Sequence, residues 1–398
     1  MKKAQLFGLD KNVFFTGLIS FFTDTSTKMV YSVMPLFLLS LGASKTSISL
    51  IEGVAESTAS LLKAFSGYWS DKIGKNKPFM VIGYGLTALI TPIYSRATAP
   101  IQILLLRFFE RIGKGLRTAP RDSLISASVK NHEAGKNFGF HKAMDNSGAI
   151  LGPLIAFVLL YFFPLDYSEI FLVATIPALL GLLSIVLFIR EARKPSHTKP
   201  EKFRFRQLPR RYYFFLLIIF VFTLGNSADA LLLVKTTETG IDQAYIPFVY
   251  MIFNLVSVFL AIPIGKISDK IGREKLIIAG FLVYAITYFS FGRFNSLGVF
   301  IPLFILYGLY SALTESSQKA FVSDIVSPEV KGTGYGIYHS VLGITLLPAN
   351  LIAGLLYDKV DSSAPFYFGS SMAILASLLM VVFTLKVGKK PHSSLELC

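Results

Sequence analysis

The sequence predicts an all-α integral membrane protein, with twelve transmembrane helices in two pseudo-symmetric six-helix bundles and both termini cytoplasmic. Three observations predict it. Apolar runs follow one another along the 398 residues, which are 53% hydrophobic and include 36 Phe and 18 Tyr; the mean hydropathy is +0.58. Charged residues make up 16% of the chain, against about 25% in an average soluble protein. A short polar motif recurs half a chain apart. The first two exclude an ordinary soluble enzyme, a disordered chain and a secreted disulfide scaffold.

A spanning helix needs about 20 mostly apolar residues. Such stretches are expected at 13–39, 46–69, 78–95, 101–123, 137–162, 168–189, 212–234, 245–268, 276–292, 298–323, 333–357 and 366–386. The first is read as a retained membrane helix, because no small-residue cleavage site follows a short apolar core. The one cysteine, Cys398, excludes an intrachain disulfide and a cysteine metal site. With the N-terminus inside, inner segments carry 25 Lys and Arg and outer segments 5, which puts both termini inside by the positive-inside rule. The net charge of +15 therefore reads as topology, with no nucleic-acid partner expected.

The boundary between bundles is expected at the polar stretch 191–211, with Pro195, Pro200 and Pro209, leaving bundles at 1–190 and 212–398. Residues 67–75 read GYWSDKIGK and residues 265–273 read GKISDKIGR, an offset of 198. Each copy follows the second helix of its half, the arrangement of a parallel repeat.

On these residues the chain resembles the major facilitator superfamily over nearly its full length, and within it the proton-coupled drug and metabolite antiporters. The family's signature between helices two and three is matched by Gly67, Asp71, Gly74, Lys75 and Lys77, and again by Gly265, Asp269, Gly272, Arg273 and Lys275. The resemblance implies a gating latch at both places. Small residues permit close helix approach, and basic residues in a tight loop can pair with carboxylates of the adjoining helix. Helix four carries Arg107 followed by Gly113 and Gly115, similar to the family pattern of an Arg with spaced glycines. Gly148, Gly152 and Pro153 resemble the Gly-Pro motif associated with antiporters.

Charge at bilayer depth is costly and usually faces a cavity or a partner. Helix one has Asp24 and Lys28, helix two Glu52, Glu56 and Lys63, helix four Arg107, Glu110, Arg111 and Lys114, and helix five His141, Lys142 and Asp145. At about 100° per residue each set falls on one face of its helix. Asp24, Glu56, Glu110 and Asp145 are candidate proton-coupling groups. Lys28, Arg107 and Arg111 are candidates to hold an anionic substrate group. A static ion-pair network among the four helices is the competing reading. In the second half, Asn226, Ser227 and Asp229 after Gly225 can unwind helix seven, or merely kink it. Asn226, Asp229, Glu315 and Tyr338 complete the candidate substrate site, which is expected to be charge-rich on one side and aromatic and amide-rich on the other.

The expected function is secondary active transport of a small organic solute by alternating access, as proton-coupled efflux. The alternative is proton-coupled uptake or exchange of an organic anion, such as a carboxylate metabolite or an iron-chelating carboxylate. No catalytic set or metal site is expected, and no cofactor beyond a proton gradient. The expected partners are a small-molecule substrate and the lipid bilayer, for a monomer in the cytoplasmic membrane.

Overall fold

The computed structural model describes residues 5–6, 9–128, 134–191, 208–327 and 330–386. Most of the expected central linker, 192–207, lies outside them. A two-residue antiparallel ribbon, Gln5–Leu6 with Leu9–Asp10, precedes thirteen α-helices. They are α1 Lys11–Ser40, α2 Lys45–Ile73, α3 Lys77–Ile93, α4 Pro100–Ser128, α5 Ala134–Phe162, α6 Tyr167–Phe188, α7 Arg210–Leu224, α8 Asp229–Thr237, α9 Ile246–Ile271, α10 Arg273–Arg293, α11 Leu297–Ile325, α12 Lys331–Lys359 and α13 Ala364–Lys386. The expected stretches fall inside these helices and their flanking 3₁₀ turns to within a residue, while the helices run up to five residues further at an end. The exception is 212–234, which forms two helices, α7 and α8, parted at Gly225–Ala228.

Nine helical segments among the described residues are long and apolar enough to cross a membrane; α1, α2 and α4 are not among them. Those three carry charge on their inward faces and mix polar with apolar turns. The outward faces read differently. On α6, Leu172, Ile176, Leu179, Leu183 and Leu187 recur at helical spacing and are all exposed. In water such a stripe would be an aggregation liability; against lipid tails it is the solvated face.

Helix crossings are set by glycine. A Cβ on Gly148 would lie 2.4 Å from the Phe21 carbonyl, and one on Gly152 2.4 Å from the Thr25 carbonyl, so α1 and α5 cross backbone to backbone. Gly83 and Gly113 do the same for α3 and α4, and Gly115 seats α4 on Leu62 of α2. Among the last seven helices Gly280 against Thr314 and Gly308 against Phe253 and Val256 make crossings of the same kind, and Phe222 of α7 stacks on Phe281 of α10 at 4.1 Å.

Helices α1–α6 meet α7–α13 mainly along α2 against α12 and α5 against α9. At the end carrying the α1–α2 turn this seam is tight. Asp358 Oδ2 accepts from the Thr46 amide at 2.7 Å, and Tyr167 donates to Gln243 at 2.6 Å. Phe157 packs on Phe248 with ring centres 5.1 Å apart. A Cβ on Gly354 would sit 2.6 Å from the Thr46 Cα.

Candidate functional site

A cavity of about 380 Å³ lies between the two sets of helices. Its walls come from the parts of α2, α4 and α11 that run away from the tight end. From α2 come Glu56, Ser60 and Lys63, one turn apart, and from α4 Lys114 and Thr118. Facing them are Asn226, Tyr310, Glu315, Gln318 and Lys319, with Tyr338 and His339 of α12. Glu315 and Lys319 are largely open to the lumen, and their side chains approach at 3.8 Å. The Tyr338 hydroxyl donates to Gln318 at 2.8 Å.

Behind the α2–α4 wall lies a buried ion-pair network. One Arg107 guanidinium nitrogen contacts both Glu52 oxygens at 2.5 and 2.7 Å, and the other meets Glu110 at 3.0 Å. Arg111 pairs with Glu56 at 3.0 Å and approaches Glu110 at 3.7 Å. Arg107 is 2% exposed and Glu52 1%, so neither meets the lumen. Arg107 also lies over the Tyr31 ring at 5.5 Å. Of the expected substrate-binding groups, Arg107 and Arg111 are thus committed to Glu52, Glu110 and Glu56, the ion-pair alternative raised by the sequence. Two of the proton-coupling candidates, Glu56 and Glu110, belong to the same network.

The other two come together elsewhere. Asp24 of α1 and Asp145 of α5 lie within hydrogen-bonding reach of each other. The Gly148 and Gly152 crossing brings them there: a Cβ on Gly148 would fall 3.1 Å from the Asp24 Cβ. Asp145 also receives Lys142 at 3.1 Å and faces Arg121 at 3.9 Å. One turn from Asp24, Lys28 crosses to the other set of helices and donates to the Tyr250 hydroxyl at 2.9 Å. Its ammonium sits over the Tyr31 and Tyr250 rings at 5.7 and 5.2 Å.

The break between α7 and α8 is built, not frayed. The Tyr284 hydroxyl reaches the Gly225 carbonyl at 3.0 Å and Asn226 Oδ1 at 3.2 Å. Ser227 pairs with Tyr288 at 3.0 Å, and Asn350 Oδ1 accepts from the Ala228 amide at 2.7 Å. Side chains thus supply partners for backbone groups that leave the helical ladder at membrane depth, where water is absent. Tyr307 donates to Asp229 at 2.8 Å, which holds that carboxylate beside the break rather than in the lumen. Of the second-half candidates, Asn226, Glu315 and Tyr338 line the cavity; Asp229 does not.

The two motif copies close their loops differently. Gly74 and Gly272 take φ of 72° and 96°, the left-handed region where glycine has no steric cost. In the first copy the Lys77 ammonium caps the carbonyls of Val186 and Ile189 at 3.1 and 2.7 Å, and Glu191 accepts from the Asn76 and Lys77 amides, both at 2.9 Å. Lys77 therefore grips the end of α6 through carbonyls, where a carboxylate partner was expected; Lys75 is exposed. In the second copy Arg273 bridges Asp269, at 3.3 Å, and Asp324 of α11. Lys275 is exposed and Gly265 has open space about it. Gly67 and the Asp71 side chain lie outside what the structure describes. Pro153 is buried in α5, one residue beyond the Gly152 crossing.

Lys63 and Lys114 stand on the charged faces expected of helices two and four, but neither they nor Lys319 and His339 are among the candidate site residues read from the sequence. The signal that finds them is recurrence one turn apart on a single face: 56, 60 and 63; 114 and 118; 315 and 319.

The Major Facilitator Superfamily (MFS) model matches residues 16–234 and 214–396. The chain belongs to the major facilitator superfamily. It is 35% identical over 380 residues to an uncharacterized MFS-type transporter of Methanocaldococcus jannaschii, covering 94% of this chain and 95% of that one. It is 24% identical to the multidrug resistance protein MdtH of Photorhabdus laumondii, over 78% of this chain and 77% of MdtH. The structure of a POT family transporter in complex with 5-aminolevulinic acid superposes with a TM-score of 0.83 at 15% identity, covering 97% of this chain and 99% of that one. The protein is a multi-pass MFS transporter, not an enzyme, and its substrate is a small molecule.

Proposed function

We propose that this MFS transporter works by alternating access between bundles 1–190 and 212–398, joined by a cytoplasmic linker at 191–211, and that it couples export of a small organic solute to proton entry. The pairing of helix contacts supports two bundles, and the Lys and Arg excess supports cytoplasmic termini. With that orientation the cavity opens inward and the Asp358–Thr46 seam closes the outer side. The protein would be met here in its inward-facing conformation, in the cytoplasmic membrane.

The single observation that carries the coupling is the Asp24–Asp145 contact. A proton between the two carboxyls makes the contact a hydrogen bond; without it, two negative charges repel across the α1–α5 crossing. Gain or loss of that proton therefore bears on how α1 and α5 sit, and α1 carries Lys28 to Tyr250 of the opposite bundle. Protonation and bundle position are linked through one turn of helix. The Gly148, Gly152 and Pro153 motif, and MdtH among the relatives, favour export over uptake.

Proton-coupled uptake or exchange of an organic anion is the second reading. The cavity favours it through Lys63, Lys114 and Lys319 on its walls. Transport into inverted vesicles with an imposed pH gradient separates the two. Accumulation driven by an acid interior supports export; accumulation driven by an acid exterior supports uptake and overturns the export reading.

A further inference from the structure

We infer that Lys63 of α2 and Lys319 of α11, with Lys114 and His339 beside them, form an anion site shared by the two bundles, and that a small organic anion with two acidic groups binds there and draws the bundles together. The inference rests on the alternating-access reading but not on the proton pair.

The charge count argues for it. Three lysines line the cavity with two carboxylates, Glu56 and Glu315. Glu56 pairs with Arg111 at 3.0 Å and also bears on Lys114, and Glu315 approaches Lys319 at 3.8 Å, so the ammonium groups on the lining outnumber its carboxylates and Lys63 has neither of them as an ion-pair partner. Lys63 shares the cavity lining with Lys319 and Lys114 and feels the charge of both, with Asp122 acting in the opposite sense. His339 lines the same cavity and feels the charge of both Lys63 and Lys319. Lys63 and Lys319 sit on helices of different bundles. Like charges facing across an empty cleft push its walls apart, and an anion between them reverses the sign of that force.

The lining also bounds the ligand. Phe222, Tyr310, Leu342 and Leu346 supply an apolar surface beside the lysines. A volume of about 380 Å³ is at the small end of ligand pockets, which span about 300–1,000 Å³. An aromatic or short aliphatic dicarboxylate matches both features.

The test uses the full chain in nanodiscs with phthalate as an aromatic dianion, benzoate as its monoanion and tetraethylammonium as a cation. Titration calorimetry is expected to give phthalate the highest affinity and tetraethylammonium none. Lys63→Gln and Lys319→Gln should each weaken phthalate by about tenfold, while Lys45→Gln, outside the cavity, should not. Spin labels at Ser126→Cys and Ser327→Cys in a Cys398→Ser background report the distance between the ends of α4 and α11. Phthalate should shorten it, and Lys63→Gln should shorten it without ligand. Equal binding of all three probes, or phthalate binding indifferent to both lysines, overturns the site. Distances that move with pH but not with phthalate overturn the closure and leave alternating access standing; distances that move under no condition overturn both.

Discussion

Asp358, near the end of α12, caps the start of α2: Oδ2 lies 2.7 Å from the Thr46 amide and Oδ1 3.3 Å from the Lys45 amide. Ser44 accepts from the Ser47 amide, so the first turn of α2 is satisfied partly by the residue before it and partly by α12. The first amides of a helix have no partner within it, and a carboxylate there also gains from the helix dipole. On the orientation and alternating access proposed above, the outer seal is a helix cap that must be undone each time the transporter opens outward.

Asp358→Ala should remove about 1–2 kcal/mol from the outward-closed state, a shift of about 5- to 30-fold toward outward opening. Accessibility of an outer-side cysteine to a membrane-impermeant maleimide checks it. The expected outcome is faster labelling with the fold intact.

Arg107 carries the second prediction. Removing one partner of a buried ion pair strands the other charge and costs about 3–5 kcal/mol, whereas removing both partners often costs little. Arg107→Met should thus lower the thermal stability of the purified protein sharply. Arg107→Met combined with Glu52→Gln and Glu110→Gln should recover most of the loss. The contrast between single and triple variants separates a structural network from a substrate site: loss of ligand binding in a stable triple variant would return Arg107 to the site.

The glycine crossing gives the third. Gly148→Ala places a methyl 2.4 Å from the Phe21 carbonyl, which must push α1 from α5 and part Asp24 from Asp145. Gly139→Ala, on the same helix, meets nothing within 4 Å. Proton-driven transport should fall at Gly148→Ala and remain at Gly139→Ala, at matched levels of protein in the membrane.

How much of this was legible follows from which forces are local. Nine spans were legible because lipid demands long apolar stretches, but α2 and α9 run on to Ile73 and Ile271, before Gly74 and Gly272, four and three residues beyond the expected ends at 69 and 268. The break at Gly225–Ala228 was visible as a polar run, but a break and a kink read alike. What decides it is Tyr284, Tyr288 and Asn350, which lie 59 or more positions further along the chain. The same holds at the site. Periodicity placed Arg107, Glu110 and Arg111 on one stripe; only the packing of α2 on α4 shows that Glu52 and Glu56 occupy them. The meeting of Asp24 with Asp145 depends on a crossing that two glycines permit and no pattern along the chain reveals.

The most direct test of the coupling is transport by Asp24→Asn and Asp145→Asn in proteoliposomes, using the anion that best stabilises the protein in a thermal-shift screen. The account predicts that both variants keep counterflow, which needs no net proton movement, and lose accumulation driven by a pH gradient. Accumulation at the wild-type level in both variants would contradict it.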